Sequence, residues 1–285
     1  MQGRAAGLVG TAGAVMLAAS LSAAAAPTAA AGAVTTLASH RAVYDLKLLR
    51  ANGKRGLQSV RGRILYDFSG NACEGYVLQF RQVSELDTGE GKVALSDLRA
   101  STWEEANSKD FRFSSQNYVN DKMANVVDGR AERRGDKVAV GLTKPKAASF
   151  DLEAAVVFPT EHMRLVIEAA RAGKSMLEFP VYDGSENGER VYNTLTVIGR
   201  EIGANEAPPA DATAGQAALA GMKRWPVTIS YFDRATTGGE QTPIYAISFQ
   251  MYENGVSRAL TLDYGDFAVS GEMSQLEMNP SRPCQ

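Results

Sequence analysis

Two cysteines and two histidines are all that the 285 residues supply, and that scarcity removes whole classes of function. No CxxC pair exists, so thiol exchange catalysis lacks its second thiol, and Cys73 with Cys284 cannot by themselves build a cysteine zinc site. His40 and His162 stand in different local contexts, and a zinc site built on them would need carboxylate help. Charge of one sign is also missing: 30 Lys and Arg face 32 Asp and Glu, for a formal net charge of −2. No basic run carries interleaved aromatics, and Arg130–Arg134 is broken by Glu132, so nucleic-acid binding has no electrostatic footprint. That cluster reads as a solvated strand end.

Catalytic motifs are absent as well. Gly184-Ser185-Glu186-Asn187-Gly188 places its serine next to the first glycine, so it is not the Gly-x-Ser-x-Gly nucleophile elbow. The same stretch, from Asp183, imitates the first half of a calcium loop, but its twelfth position is Thr194 where a bidentate glutamate is needed. It is expected to be a hairpin turn. The acids of Leu262-Asp263-Tyr264-Gly265-Asp266-Phe267 read as surface or hydrogen-bonding groups rather than a glycosidase pair. No catalytic residue, metal site or cofactor is expected.

What is present begins with a secretory pattern. Met1–Arg4 gives a positive start, Ala5 to about Ala19 an apolar stretch, and Ala23–Ala33 small residues suited to a leader peptidase. The stretch is dominated by Ala and Gly, whose weak transfer energies favour cleavage over anchoring, before Ala26 or near Ala31. Residues 1–33 are therefore expected to be a signal peptide and cleavage region, and 34–285 one periplasmic β-domain. No later apolar segment has membrane length. In the oxidising compartment this implies, Cys73 and Cys284 are expected to form a disulfide closing a loop of roughly 210 residues, with a stabilising ceiling of about 5 kcal/mol. The alternative is two buried, unpaired thiols.

Most of the remaining sequence alternates with period two. Tyr76, Leu78 and Phe80 share one face, as do Phe111 and Phe113. Ile247, Phe249 and Met251 alternate up to Asn254-Gly255, and Leu260, Leu262 and Tyr264 after it, predicting a hairpin with a type I′ turn. Asn52-Gly53, Asp128-Gly129, Asp183-Gly184 and Gly238-Gly239 are further expected turns. Many short strands predict a long antiparallel sheet that curls into a spiral or open barrel, because a flat exposed edge invites aggregation.

One segment breaks that rhythm. Met163, Val166, Ile167 and Ala170 fall at i, i+3, i+4 and i+7, predicting an amphipathic helix over about 160–172 packed against the sheet. Thr160 is expected as N-cap, with Glu161 complementing the dipole and Gly173 ending the helix. Thr160 and His162 thus form a candidate functional helix start. His162, near the positive end of the dipole, is expected to be neutral. Residues 204–220, rich in Ala, Pro and Gly, predict a mobile surface loop that buries little, with a short helix at Gln216–Met222 or an interdomain linker as alternatives.

Six segments in order resemble the EipB family of periplasmic cell-envelope integrity proteins of alphaproteobacteria. They are Ser39-His40-Arg41-Ala42-Val43-Tyr44-Asp45-Leu46, Cys73-Glu74-Gly75-Tyr76, Phe158-Pro159-Thr160-Glu161-His162-Met163, Val181-Tyr182-Asp183-Gly184-Ser185-Glu186, Trp225-Pro226-Val227 and Glu253-Asn254-Gly255-Val256-Ser257-Arg258. The resemblance implies a single periplasmic domain built from a curled antiparallel sheet with a helix packed on it. It also implies a disulfide between Cys73 and Cys284, a role in envelope stability and no established enzymatic activity. Residues 204–220 carry no motif matched to the family. The expected function is a non-enzymatic binding protein that supports the envelope by holding a protein partner or an apolar ligand. A lipid or lipoprotein carrier is one alternative, and an envelope hydrolase using His162 another.

Overall fold

The computed structural model describes residues 35–52, 57–89, 91, 93–213, 216–234 and 241–280. The leader, Gly53, Gly238-Gly239 and Cys284 therefore lie outside the described residues. The first half of the sheet comprises β1 (His40–Ala51), β2 (Ser59–Asn71), β3 (Gly75–Asp87), β4 (Val93–Glu104), β5 (Asp110–Val119), β6 (Lys122–Arg134), β7 (Lys137–Lys144) and β8 (Ala148–Glu153). Helix α1 (Pro159–Arg171) follows, and then β9 (Met176–Val181), β10 (Tyr192–Ile198), β11 (Arg224–Asp233), β12 (Tyr245–Tyr252), β13 (Ser257–Asp263) and β14 (Phe267–Met278).

The 14 strands of the described residues form one sheet in the order β8-β7-β6-β5-β4-β3-β2-β1-β14-β13-β12-β11-β10-β9. Two meanders thus meet at the centre, where β1 pairs antiparallel with both β2 and β14. Strands β8 and β9 are the two edges, so the sheet is not closed into a barrel. The segment entering α1 covers part of one edge, through a parallel bridge between Val157 and Val181. Among the described residues no helix is long and apolar enough to cross a membrane.

Strand alternation sorts the expected apolar residues inward. Phe111, Phe113, Phe249, Met251, Leu260 and Leu262 are buried, and two cores result. The larger gathers residues of β1, β2 and β11–β14 around Val166, Ile167, Ala169 and Ala170 of α1. The smaller packs Phe111, Phe113, Val127, Val138, Val140 and Leu142 against Val156, Phe158 and Tyr182. The stripe of α1 therefore faces the sheet, as its periodicity requires. Its C-terminus also ends as expected: Gly173 adopts a φ of 71°, and Lys174 N–H donates to the carbonyl of Ala169.

Four local expectations need correction. The N-cap of α1 is Phe158, not Thr160, because Pro159 occupies the first helical position, where its missing N–H costs nothing. Asp128-Gly129 is not a turn but lies inside β6, at a register shift against β7. A Cβ on Gly129 would stand 2.7 Å from the Phe113 ring and 2.8 Å from Leu142, so the glycine marks a close approach within the sheet. The β12–β13 hairpin exists, but only Gly255 of its turn has positive φ, and its N–H donates to the Tyr252 carbonyl. That is a longer loop than the two-residue type I′ turn.

The fourth correction concerns residues 204–220, most of which are exposed as a surface loop should be, but which are anchored at two points. Asp211 pairs with Arg258, at side-chain exposures of 4% and 1%, and Leu219 sits in the larger core after a single 3₁₀ turn at Ala217–Leu219. Arg258 also donates to the Pro209 carbonyl and the Tyr252 hydroxyl. Strands on either side of the segment, β10 and β11, pair directly, so it links neighbouring strands of one sheet.

Candidate functional site

Strand order brings distant residues to one interior wall. Across β1 and β2, His40 pairs with Phe68 and Ala42 with Tyr66, which places His40, Tyr66 and Phe68 on one face. Their rings stack, His40 on Tyr66 at 5.4 Å and Phe68 on Tyr76 at 5.1 Å between centroids. The returning meander builds a second row. Tyr231 pairs directly with Tyr245 across β11 and β12, and Tyr192, Tyr231, Tyr245, Tyr264 and Phe267 follow one another at 4.9–5.9 Å.

Two adjoining cavities lie between these rows. The first, about 200 Å³, is lined among others by Leu78, Thr160, His162, Asp183 and Tyr231. The second, about 180 Å³, is lined among others by Tyr44, Gln82, Tyr245, Ile247 and Leu262. Both share His40, Tyr66, Met163 and Gly255 as walls. Gly255 is confined by its neighbours, since an added Cβ would meet Leu37 at 2.9 Å. Together the spaces reach the size of small-molecule pockets, which are mostly apolar with a few placed polar groups.

Burial shifts the ionisable groups here toward their neutral forms. His40 donates Nδ1–H to the Ala38 carbonyl at 2.8 Å, which leaves Nε2 as an acceptor, and burial pushes its pKa down. His162 is 4% exposed, with its pKa lowered by burial to about 4. Its Nε2 lies 3.3 Å from the Thr196 hydroxyl and its ring packs edge-on to Phe179. Asp183 accepts the Ser185 N–H, while burial raises its pKa. Burial likewise raises the Tyr66 hydroxyl to about 12.

Thr160 and His162 do both line the first cavity, but the start of α1 is organised by residues that sequence reasoning missed. Glu104, 1% exposed at the end of β4, accepts the backbone N–H groups of Thr160 at 2.7 Å and Glu161 at 2.8 Å. It acts as a cap supplied by another strand, satisfying N–H groups that the helix itself cannot. Ser108 donates to the same carboxylate, and Arg164 donates to Ser108 Oγ. Burial, then the proximity of Glu161, raises the Glu104 pKa to about 7 against the lowering effect of its hydrogen bonds. Arg133, expected to be solvated, instead donates to the carbonyls of Ser108, Ala154 and Val156 and to Glu161, and covers the Phe158 ring at 4.9 Å. The sequence holds one trace of this arrangement: Glu161 at the third helical position, which accepts the Phe158 N–H.

Cys73 lies in the exposed turn between β2 and β3 and is not free. Among the described residues no group of three or more His, Cys, Asp or Glu is placed to hold a metal ion.

Comparisons with known proteins agree with this architecture. The chain is 39% identical over 250 residues to the cell envelope integrity protein EipB of Brucella abortus, covering 88% of this chain and 87% of that protein. It is also similar to a crystal structure described as a beta-barrel-like protein of domain of unknown function DUF1849 from Brucella abortus. The TM-score is 0.79 at 38% identity, over 86% of this chain and all of that one. The EipB-like family model matches residues 31–280, and with that extent and identity the chain belongs to the EipB-like family.

Proposed function

We propose that this protein is a non-enzymatic periplasmic component that supports cell-envelope integrity by holding an apolar ligand inside its curled sheet. The observation that carries the reading is the pair of adjoining cavities walled by His40, Tyr66, Met163 and Gly255. Envelope integrity is the role named for the Brucella abortus relative. A lipid carrier is a special case of the same reading, since an acyl chain suits walls made of Leu, Ile, Met and aromatic rings. The neighbour of His162 Nε2 is a hydroxyl and not a carboxylate, which favours a packed helix start over a hydrolase centre.

The export signal at 1–33 and the bridge from Cys73 to Cys284 belong to this proposal. Support for the bridge comes from the centre of the sheet, where His40 pairs with Phe68 on one side and Met278 on the other. Two strand spacings are about 10 Å, which brings the end of β14 close to the turn holding Cys73.

The test is fluorescence of the neutral apolar probe N-phenyl-1-naphthylamine with the purified protein. Saturable enhancement is expected, reduced several-fold in Leu78→Trp and Ile247→Trp, which fill the two cavities. An unenhanced signal with the folded wild type would remove the ligand-binding reading.

A further inference from the structure

The hydroxyls of Tyr66, Tyr231 and Tyr245 have no hydrogen-bond partner among the described residues. They nevertheless do not belong to the fully enclosed orphan groups, because part of each side chain remains open. Burial raises the pKa of all three, and Tyr66 lines both cavities, Tyr231 the first and Tyr245 the second. Elsewhere in the same protein buried tyrosines are satisfied: Tyr44 donates to the Ser257 carbonyl, Tyr182 to the Gly188 carbonyl, and Tyr76 accepts the Leu37 N–H. Asn254 also lines the first cavity, but its side-chain oxygen accepts the Val256 N–H and its amide nitrogen is fully enclosed, so that nitrogen does not face the space. The three open hydroxyls around one space are the groups with which an occupant can pair.

The walls also restrict the charge of that partner. Among the described residues neither cavity is lined by Lys or Arg, so a carboxylate or phosphate entering it would lose hydration without gaining a cation there. One carboxyl, Asp183, is present, and it already accepts the Ser185 N–H.

From the unpaired hydroxyls of Tyr66, Tyr231 and Tyr245 and the absence of Lys and Arg from the described walls, we infer that the site takes an uncharged amphiphile. Such a ligand has an apolar chain carrying ester, ether or hydroxyl oxygens that accept from these donors. The inference rests on the cavity being a ligand site, as proposed above, and adds the chemical class of its occupant. Aromatic rings supply the apolar contact, and the tyrosine hydroxyls supply the selection, because covering them with a plain hydrocarbon would leave them unpaired.

The test displaces N-phenyl-1-naphthylamine from the purified protein with 1-decanoylglycerol, decanoate and decyltrimethylammonium, which share a chain length, each as monomer below its micellar concentration. The glycerol ester is expected to displace about tenfold more effectively than either ion. Tyr66→Phe, Tyr231→Phe and Tyr245→Phe should each weaken the ester several-fold relative to the probe and leave the thermal midpoint unchanged, since no internal hydrogen bond is lost. Equal or stronger displacement by either ion, or an ester affinity untouched in the triple Phe variant, would overturn the assignment of ligand class while leaving the cavity a ligand site. Failure of the probe itself to bind would overturn both.

Discussion

The two cores contain similar residues and treat them oppositely. Around Phe111, Phe113, Phe158 and Tyr182 the rings touch at 5.0–6.4 Å, Arg133 seals one face, and the Tyr182 hydroxyl reaches the Gly188 carbonyl. Around His40, Tyr66, Tyr231 and Tyr245 the rings also stack in rows, yet space and unpaired hydroxyls remain between the rows. Aromatic content alone therefore does not separate a stabilising cluster from a site. The difference lies in whether each polar tip has an internal partner, because close packing and full pairing leave no role for a ligand.

The largest expected contrast comes from truncating a ring in each region. Phe111→Ala, at a fully buried position, should cost about 3–5 kcal/mol of unfolding free energy, while Phe80→Ala, on the wall of the second cavity, should cost about half as much. Chemical denaturation of both variants checks this, and equal losses would erase the distinction between packed and open cores.

Next comes the covalent tie proposed beside the open region. Cys73→Ala, Cys284→Ala and the double variant should each lose about 2–4 kcal/mol, without addition, because each removes the same cross-link. Thiol titration of the unfolded, unreduced protein should find no reactive thiol, and two would reject the bridge.

A comparable effect is expected at Glu104, which stands between the two cores at the start of α1. Its folded pKa, about 7, exceeds the ordinary 4.5, so the folded state holds this proton more tightly than the unfolded state. The associated stability is full below pH about 4.5 and is lost as pH rises through 7, a change on the order of 3 kcal/mol. Glu104→Gln cannot ionise and should lack that decline, although it is less stable at low pH, because one amide oxygen cannot replace two carboxyl oxygens that accept separate N–H groups. Thermal midpoints of both proteins between pH 4 and 8 measure the difference, and parallel curves would reject the raised pKa.

The smallest contrast is the sharpest. Tyr182→Phe removes a hydrogen bond to the Gly188 carbonyl and should cost about 1 kcal/mol, whereas Tyr231→Phe removes none and should be neutral or slightly stabilising. A loss at Tyr231 equal to that at Tyr182 would show that its hydroxyl has a structural partner.

Much of this fold was legible because its signals are local. Period-two alternation marked strands such as those carrying Phe111 with Phe113 and Ile247 with Phe249, and the spacing from Met163 to Ala170 marked the helix and its buried face. The errors arose where the deciding partner is far away in the chain. Thr160 looked like a cap because the real acceptor, Glu104, comes from β4, and Asp128-Gly129 looked like a turn because Phe113 and Leu142 are what require the glycine. Composition gave no sign of the anchor within residues 204–220 for the same reason, since the partner of Asp211 is the distant Arg258. The candidate site was the least legible of all. His162 was found by its rarity, but a cavity is what remains after strands from both meanders have curled past one another, and no single segment encodes it.

The position of β1 at the middle of the sheet sets an order of assembly. As the first of the described strands to be synthesised, it can pair with β2 almost at once, but its other edge must wait for β14, the last of them. Until then a strand destined for the centre presents a full row of unsatisfied backbone groups, and the pairing that finally covers it joins the most distant parts of the chain. The nascent domain is therefore most vulnerable to misassociation at its eventual midline, and truncating even its final strand would expose the first.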